Sequence, residues 1–124
     1  MEIQWKDIQP EVKKSIEIVL RKEIPSFTSI TLSGFIIGSA GMNYPWYKDL
    51  EMKLLIFKNI LEVFAVDKLI VEHGRNIANI LYGMGKNGMK KEDIPSDVLH
   101  VLLSGIGRCS ANLNVQELSF VIFG

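Results

Sequence analysis

The chain has 124 residues, 48% of them hydrophobic, enough for one domain with a core of its own. Fourteen basic residues balance fourteen acidic ones, so no overall field draws it to nucleic acid or an anionic surface, and any such binding needs local clustering. A single cysteine excludes an internal disulfide and a cysteine-built metal site, and no apolar run nears the ~18 residues of a membrane span.

In chain order, Trp5-Lys6-Asp7-Ile8 opens a first predicted helix. Ile8, Val12, Ile16 and Val19–Leu20 recur there at helical spacing, with Pro10 in the first turn and Asp7 placed as an N-cap. After the turn signal Ile24-Pro25-Ser26, a second helix carries Leu32-Ser33-Gly34-Phe35-Ile36-Ile37-Gly38. Trp46-Tyr47-Lys48-Asp49-Leu50 then opens a third, with Leu50, Leu54, Phe57, Ile60–Leu61 and Phe64 as its apolar face. A turn at His73-Gly74 leads into a fourth, which ends on Ile77-Ala78-Asn79-Ile80-Leu81-Tyr82-Gly83. Lys91-Glu92-Asp93-Ile94 opens the fifth, with Ile94, Val98, Val101–Leu102 and Ile106 in register and Pro95 in its opening turn. Turn residues follow from Gly107 to Asn114. Asn114 and Glu117 fit a capping box, so a sixth helix is predicted from near Val115 through Leu118-Ser119-Phe120-Val121-Ile122-Phe123-Gly124.

The second, fourth and sixth segments share one ending: apolar, small, variable, three large apolar residues, then Gly. Their glycines are 45 and 41 residues apart, and a period of about 20–50 residues marks a stacked-repeat architecture. The three opening landmarks repeat as well. Trp5 to Gly38 and Lys91 to Gly124 each span 33 residues, and Trp46 to Gly83 spans 37. The excess of four is about one α-helical turn and predicts a lengthened helix in the middle unit. The expected fold is therefore all-α. Some six helices form three hairpins, in units of approximately residues 1–42, 43–89 and 90–124, stacked as a short right-handed α-solenoid without strands. Ser33, Ala78 and Ser119 hold one repeat position, where small residues fit either close helix approach or a solvated site.

Leu113-Asn114-Val115-Gln116-Glu117-Leu118-Ser119, and the run from Ile77 through Gly83-Met84-Gly85-Lys86-Asn87-Gly88-Met89, resemble octatricopeptide-type repeats. Similar α-helical repeats occur in the FAST-kinase-domain and RAP-domain proteins of organelles. The resemblance implies an RNA-binding scaffold, with single-stranded RNA as the expected ligand.

Gly83-Met84-Gly85-Lys86-Asn87-Gly88 also matches G-x-G-x-x-G. A dinucleotide site needs a strand before that motif and a helix opening on it. Here a helical segment precedes it, so Gly83 reads as a repeat residue and Gly88 as a turn or C-cap glycine. His73 and His100 share no metal-ligand spacing with each other or with a carboxylate. Ser15, Ser33, Ser104 and Ser119 lie in no nucleophile-elbow context. Cys109 reads as a small apolar residue near a helix end. No catalytic residue, cofactor or metal is expected, and the chain is read as a non-enzymatic scaffold.

Basic residues are the remaining candidates for binding. Lys13 and Lys14, with Arg21 and Lys22, mark the first hairpin; Arg75, Lys86, Lys90 and Lys91 surround the fourth helix, and Arg108 follows on the fifth. In a solenoid, equivalent positions stack into a stripe that can neutralise phosphates. Glu11, Glu17, Glu23, Glu92 and Asp93 interleave them, as on an ordinary solvated face. Trp5 and Trp46 share a repeat position, which favours packing between units. Tyr44 and Tyr47 are the expected base-stacking rings, whereas Tyr82 aligns with Ile37 and Phe123 and reads as core.

The last segment, Val115–Phe123, is strongly apolar, and mean hydropathy is +0.19. Both point to self-association or to a longer repeat array around the chain. A reducing, intracellular setting is expected from the cysteine count. Two readings stay open: an RNA-binding face built from Lys13, Lys14, Arg75, Lys86, Lys90 and Lys91, or a surface for another protein or another copy.

Overall fold

A computed structural model describes residues 3–109. These form five α-helices: α1 Pro10–Glu23, α2 Ser29–Gly41, α3 Leu50–Val63, α4 His73–Lys86 and α5 Ser96–Cys109. Among the described residues there is no strand. The predicted sixth helix, with its capping box and Ser119, lies outside them.

A short 3₁₀ turn precedes every helix, and the three opening landmarks are three of these turns: Trp5–Asp7, Trp46–Lys48 and Lys91–Asp93. Each closes alike, the next N–H donating to the turn's first carbonyl (Ile8 to Trp5, Asp49 to Trp46, Ile94 to Lys91). The aspartates do different work. Asp49 caps α3, accepting from the Met52 N–H at 3.0 Å. Asp93 accepts from the Lys90 N–H at 2.8 Å, inside its own turn. Asp7 is not the N-cap of α1: it ends its 3₁₀ turn, and α1 starts on Pro10 after Gln9. Proline at the first helical position needs no donor there, so α1 starts without a side-chain cap.

Both described second helices end on a Schellman motif. Beyond α4, the Met89 N–H donates to the Met84 carbonyl and the Gly88 N–H to Gly85, with Gly88 left-handed at φ +89°. Beyond α2, Tyr44 donates to Ser39 and Asn43 to Ala40, with Asn43 at φ +56°. Asn43 and Gly88 are 45 residues apart, the spacing of Gly38 and Gly83.

The helices pair as antiparallel hairpins. The Trp5 N–H donates to the Met42 carbonyl, joining the approach to α1 to the end of α2. In the second hairpin, Phe64 at the end of α3 meets the His73 ring edge-on at 5.5 Å. At its other end the Tyr47 hydroxyl donates to the Asn87 carbonyl. Between hairpins, α2 and α4 run parallel and in register. Asn76 bridges Ser29 and Ser33, Ile36 lies against Gly83, and the Asn87 amide donates to the Tyr44 carbonyl. α5 crosses back along α4, with Gly105 at Ile77 and Cys109 at Gly74. The result is two stacked hairpins and the first helix of a third.

Two sequence expectations are corrected. The four extra residues of the middle unit lengthen no helix: α1 and α3 are both 14 residues long. They lie in the connection, where residues 64–72 join α3 to α4 and only 24–28 join α1 to α2. That longer connection holds the 3₁₀ turn Val66–Lys68, and α4 already begins at His73 rather than after Gly74. The apolar face of α3 is also rotated. Met52, Ile56, Phe57, Ile60 and Phe64 are buried, whereas Leu50 and Leu54 are 68% and 57% exposed. α3 is apolar on more than one side, so periodicity alone admits two faces, and the neighbours choose. α1 buries no residue fully; Ile16 and Leu20 are half-buried, and Val12 and Val19 are exposed.

The core runs along α2, α3 and α4, around Leu32, Ile36, Trp46, Ile56, Ile77 and Leu81. α1 is tied to α3 at one corner. Arg21 donates from Nη2 to Asp49 Oδ2 at 3.0 Å, and its Nε lies 3.1 Å from Glu51 Oε1 without hydrogen-bond alignment. The Met52 N–H, the largest influence, holds the Asp49 carboxyl below the usual range; burial opposes it, and the charge and hydrogen bond of Arg21 add to the lowering. A depressed acid pKa stabilises the fold above the unfolded value, about 3.9, and the benefit is lost as pH falls through the folded one. Asp49→Ala should cost about 1 kcal/mol at neutral pH, chiefly through the lost cap. Denaturant midpoints of both proteins measured down to acid pH should converge below about pH 4; a gap unchanged with pH refutes this account.

Candidate nucleic-acid interface

α4 buries Ile77, Ile80, Leu81, Gly83 and Met84. Its opposite face is a single stripe at helical spacing: Arg75, Asn79, Tyr82 and Lys86. Arg75 and Lys86 are exposed and stand about 16 Å apart along the axis, from a rise of ~1.5 Å per residue. Between them the Tyr82 ring is 57% exposed, with Lys86 Nζ 5.9 Å from its centroid. Neither cation forms an ion pair among the described residues, where both ion pairs belong to Arg21.

Tyr82 is therefore not core. The repeat position it shares with Ile37, itself 37% exposed, faces outward in both described units. The ring pattern expected from sequence is reversed. Tyr44 is 4% exposed, its hydroxyl donating to Glu17 Oε2 at 3.1 Å, and burial first, then that carboxylate, push its pKa upward. Tyr47 is half-buried with its hydroxyl engaged on Asn87. Neither offers a free face to a base. The signal for Tyr82 was present in the chain: Arg75, Asn79, Tyr82 and Lys86 follow i, i+4, i+7, i+11, the period of one helix face.

The structure brings only some of the predicted basic residues together. Lys90 and Lys91 are exposed just past the Schellman end of α4, so with Lys86 they form one basic end. Lys13 is half-buried at the start of α1, which reaches that same end of the hairpins; its Nζ lies 5.7 Å from the Trp5 centroid. Lys14, one residue on, is turned about 100° round α1. Arg75 is three turns away, but on the stripe of Lys86. Arg21 is engaged with Asp49 and Glu51 and offers a ligand little. Glu92 and Asp93 are exposed beside Lys91.

Other chemistry-bearing residues sit apart from this face. Gly83–Gly88 is the closing turn of α4 and its cap. His73 packs on Phe64 and accepts from the Ile70 N–H at 3.4 Å, and exposed His100 lies 3.4 Å from the Ser104 hydroxyl, four residues on. Cys109 rests at the end of α5 with Sγ on the Ile70 carbonyl. Among the described residues, no group of three His, Cys, Asp or Glu is placed to hold a metal ion, and no helix is long and apolar enough to cross a membrane.

The fold defines a short array of stacked α-helical hairpins. Compared with protein-family models, curated proteins and solved structures, the chain matches none.

Proposed function

We propose that this protein is a non-enzymatic helical-repeat scaffold that binds single-stranded RNA along the outer face of α4. The observation that carries the reading is the stripe Arg75–Asn79–Tyr82–Lys86, continued by Lys90 and Lys91. It sets an exposed ring between two cations that no carboxylate of the described residues pairs. Binding of single strands combines these parts: cations along the backbone and an open π-face for a base. The resemblance of Ile77–Met89 and Leu113–Ser119 to octatricopeptide repeats supports the same ligand, and a relation to that family is part of the proposal.

Titration of the protein with mixed-sequence single-stranded RNA at several salt concentrations tests it. Affinity should fall with salt, and Arg75→Ala or Lys86→Ala should each reduce the log–log slope by about 0.7. Tyr82→Ala should weaken binding by about tenfold or more while leaving that slope in place, because it removes stacking rather than charge. Lys14→Ala, off the stripe, should change neither. Salt-independent binding, or equal losses from Lys14→Ala and Lys86→Ala, would dismiss the assignment.

A further inference from the structure

Inside the chain, the second helix of one unit fills the crevice of the next hairpin. α2 lies against α4 and the 3₁₀ turn that opens α3, where Phe35 stands 6.5 Å from Trp46 and Ile36 meets Gly83. A Cβ built on Gly83 would lie 2.8 Å from Ile36 Cγ2 and 3.1 Å from the Ile36 carbonyl oxygen, so only glycine admits this approach. Under this cover Trp46 is fully buried.

The α1–α2 hairpin has the same crevice, and no helix of the described residues fills it. It is an apolar groove of about 270 Å³, lined by Trp5, Ile16, Leu20, Phe35 and Met42, with Gly34 and Gly38 at its floor. The counterparts of these buried features are less covered here. Gly38 holds the position of Gly83, and a Cβ there would meet nothing of the described residues within 4 Å. Trp5 holds the position of Trp46 and is only half-buried. On α1 beside the groove, Val12 and Val19 are 46% and 56% exposed. α1, the helix that loses most by this vacancy, is the one that buries no residue.

The occupant follows from the repeat. The crevice of unit two takes Leu32-Ser33-Gly34-Phe35-Ile36-Ile37-Gly38, and the chain holds one further segment of that kind beyond α5: Leu118-Ser119-Phe120-Val121-Ile122-Phe123-Gly124. It shares Leu, Ser, Ile and Gly with α2 at the first, second, fifth and seventh places, so Ile122 corresponds to Ile36. We infer that the α1–α2 crevice receives Leu118–Gly124 of a second copy, continuing the α2-on-α4 packing from one molecule to the next. Such a contact joins unlike surfaces, head to tail, and repeats into an open array or a closed ring rather than stopping at a symmetric pair.

Sedimentation velocity of the full chain over a wide range of concentration tests this. The mass should climb past that of a dimer as concentration rises. Gly38→Lys fills the crevice floor from a position with open space, so it should fold normally by circular dichroism and sediment as a monomer. Ile122→Glu should also be monomeric. Mixed in equal amounts, the two variants should form a heterodimer and nothing larger, because one retains a usable tail and the other a usable crevice. Should Ile122→Glu fail to fold, Gly38→Lys added to the wild type serves instead: it caps growing arrays and should lower their mass as its fraction rises. A wild type that stays monomeric throughout, a dimer indifferent to Gly38→Lys, or a mixture that restores no association overturns the inference.

Discussion

Trp46→Ala is expected to cost about 3–5 kcal/mol, a large share of the stability of a chain this size, and to lower the thermal midpoint by roughly 10 °C or more. Trp46 is fully buried where two units meet, with Phe35 of the preceding helix at 6.5 Å, Phe57 of its own α3 at 5.9 Å and Tyr47 edge-on at 5.8 Å. Truncation opens a ring-sized cavity between α2 and α3, and rigid helices on both sides cannot collapse into it. Trp5→Ala removes the same side chain from the equivalent position but should cost less, about 2 kcal/mol, since that ring is only partly buried. Trp46→Phe sharpens the account. The indole Nε1 is buried with no acceptor among the described residues, so phenylalanine loses volume while removing an unsatisfied donor, and the net cost should stay near 1 kcal/mol. Denaturant unfolding of the three variants checks this; equal losses from Trp5→Ala and Trp46→Ala would mean that Trp46 is not the keystone between units.

The two glycines that share a repeat position should respond to alanine with opposite signs. Gly83→Ala drives a methyl to 2.8 Å from Ile36 Cγ2 and 3.1 Å from the Ile36 carbonyl oxygen. A side-chain methyl can turn away, but a carbonyl inside α2 cannot, so α4 has to move off α2. Overpacking of this kind costs about 1–3 kcal/mol, enough to outweigh the ~1 kcal/mol that alanine gains over glycine in a helix interior. Gly38→Ala meets none of the described residues within 4 Å and keeps the propensity gain, so it should stabilise the fold by about 0.5–1 kcal/mol. The measurement belongs at low concentration, where association through the α1–α2 crevice does not contribute. Stabilisation by both substitutions would show that α2 and α4 do not approach as closely as Ile36 and Gly83 imply.

What could be read from the chain alone were the features set by a few neighbouring residues. The three opening landmarks all form 3₁₀ turns, and Gly88 caps α4, because such turns depend on local hydrogen bonds and on the one residue that accepts a left-handed backbone. The position of Ser33 was half legible. A small residue permits close approach, yet only the fold supplies Asn76 to bond its hydroxyl. The cations of the candidate face, Arg75, Lys86, Lys90 and Lys91, stood out in the chain, but its ring did not. Tyr82 stands among large apolar residues and was assigned to the core, whereas Tyr44 stands in a polar-looking loop and was assigned to the surface. Their places are exchanged because exposure depends on which neighbour arrives, and α2 runs beside α4 without covering the side where Tyr82 points. The four extra residues of the middle unit likewise match a helical turn in length but lie in the connection between α3 and α4.

By itself, then, the sequence determined that the described chain is helical and roughly where each helix lies, since periodicity acts over one or two turns; the exact ends differ, as α2 runs past Gly38 to Gly41 and α4 past Gly83 to Lys86. The spacing in α5 picked out its buried side, Val98, Leu102 and Ile106, but only the tertiary structure decided which side of α3 and α4 is buried. α3 and α4 carry apolar residues on more than one side, and the choice depends on contacts between residues some 45 apart in the chain. The same long-range packing separated glycines with identical local sequence, pressing Gly83 against Ile36 and leaving Gly38 open.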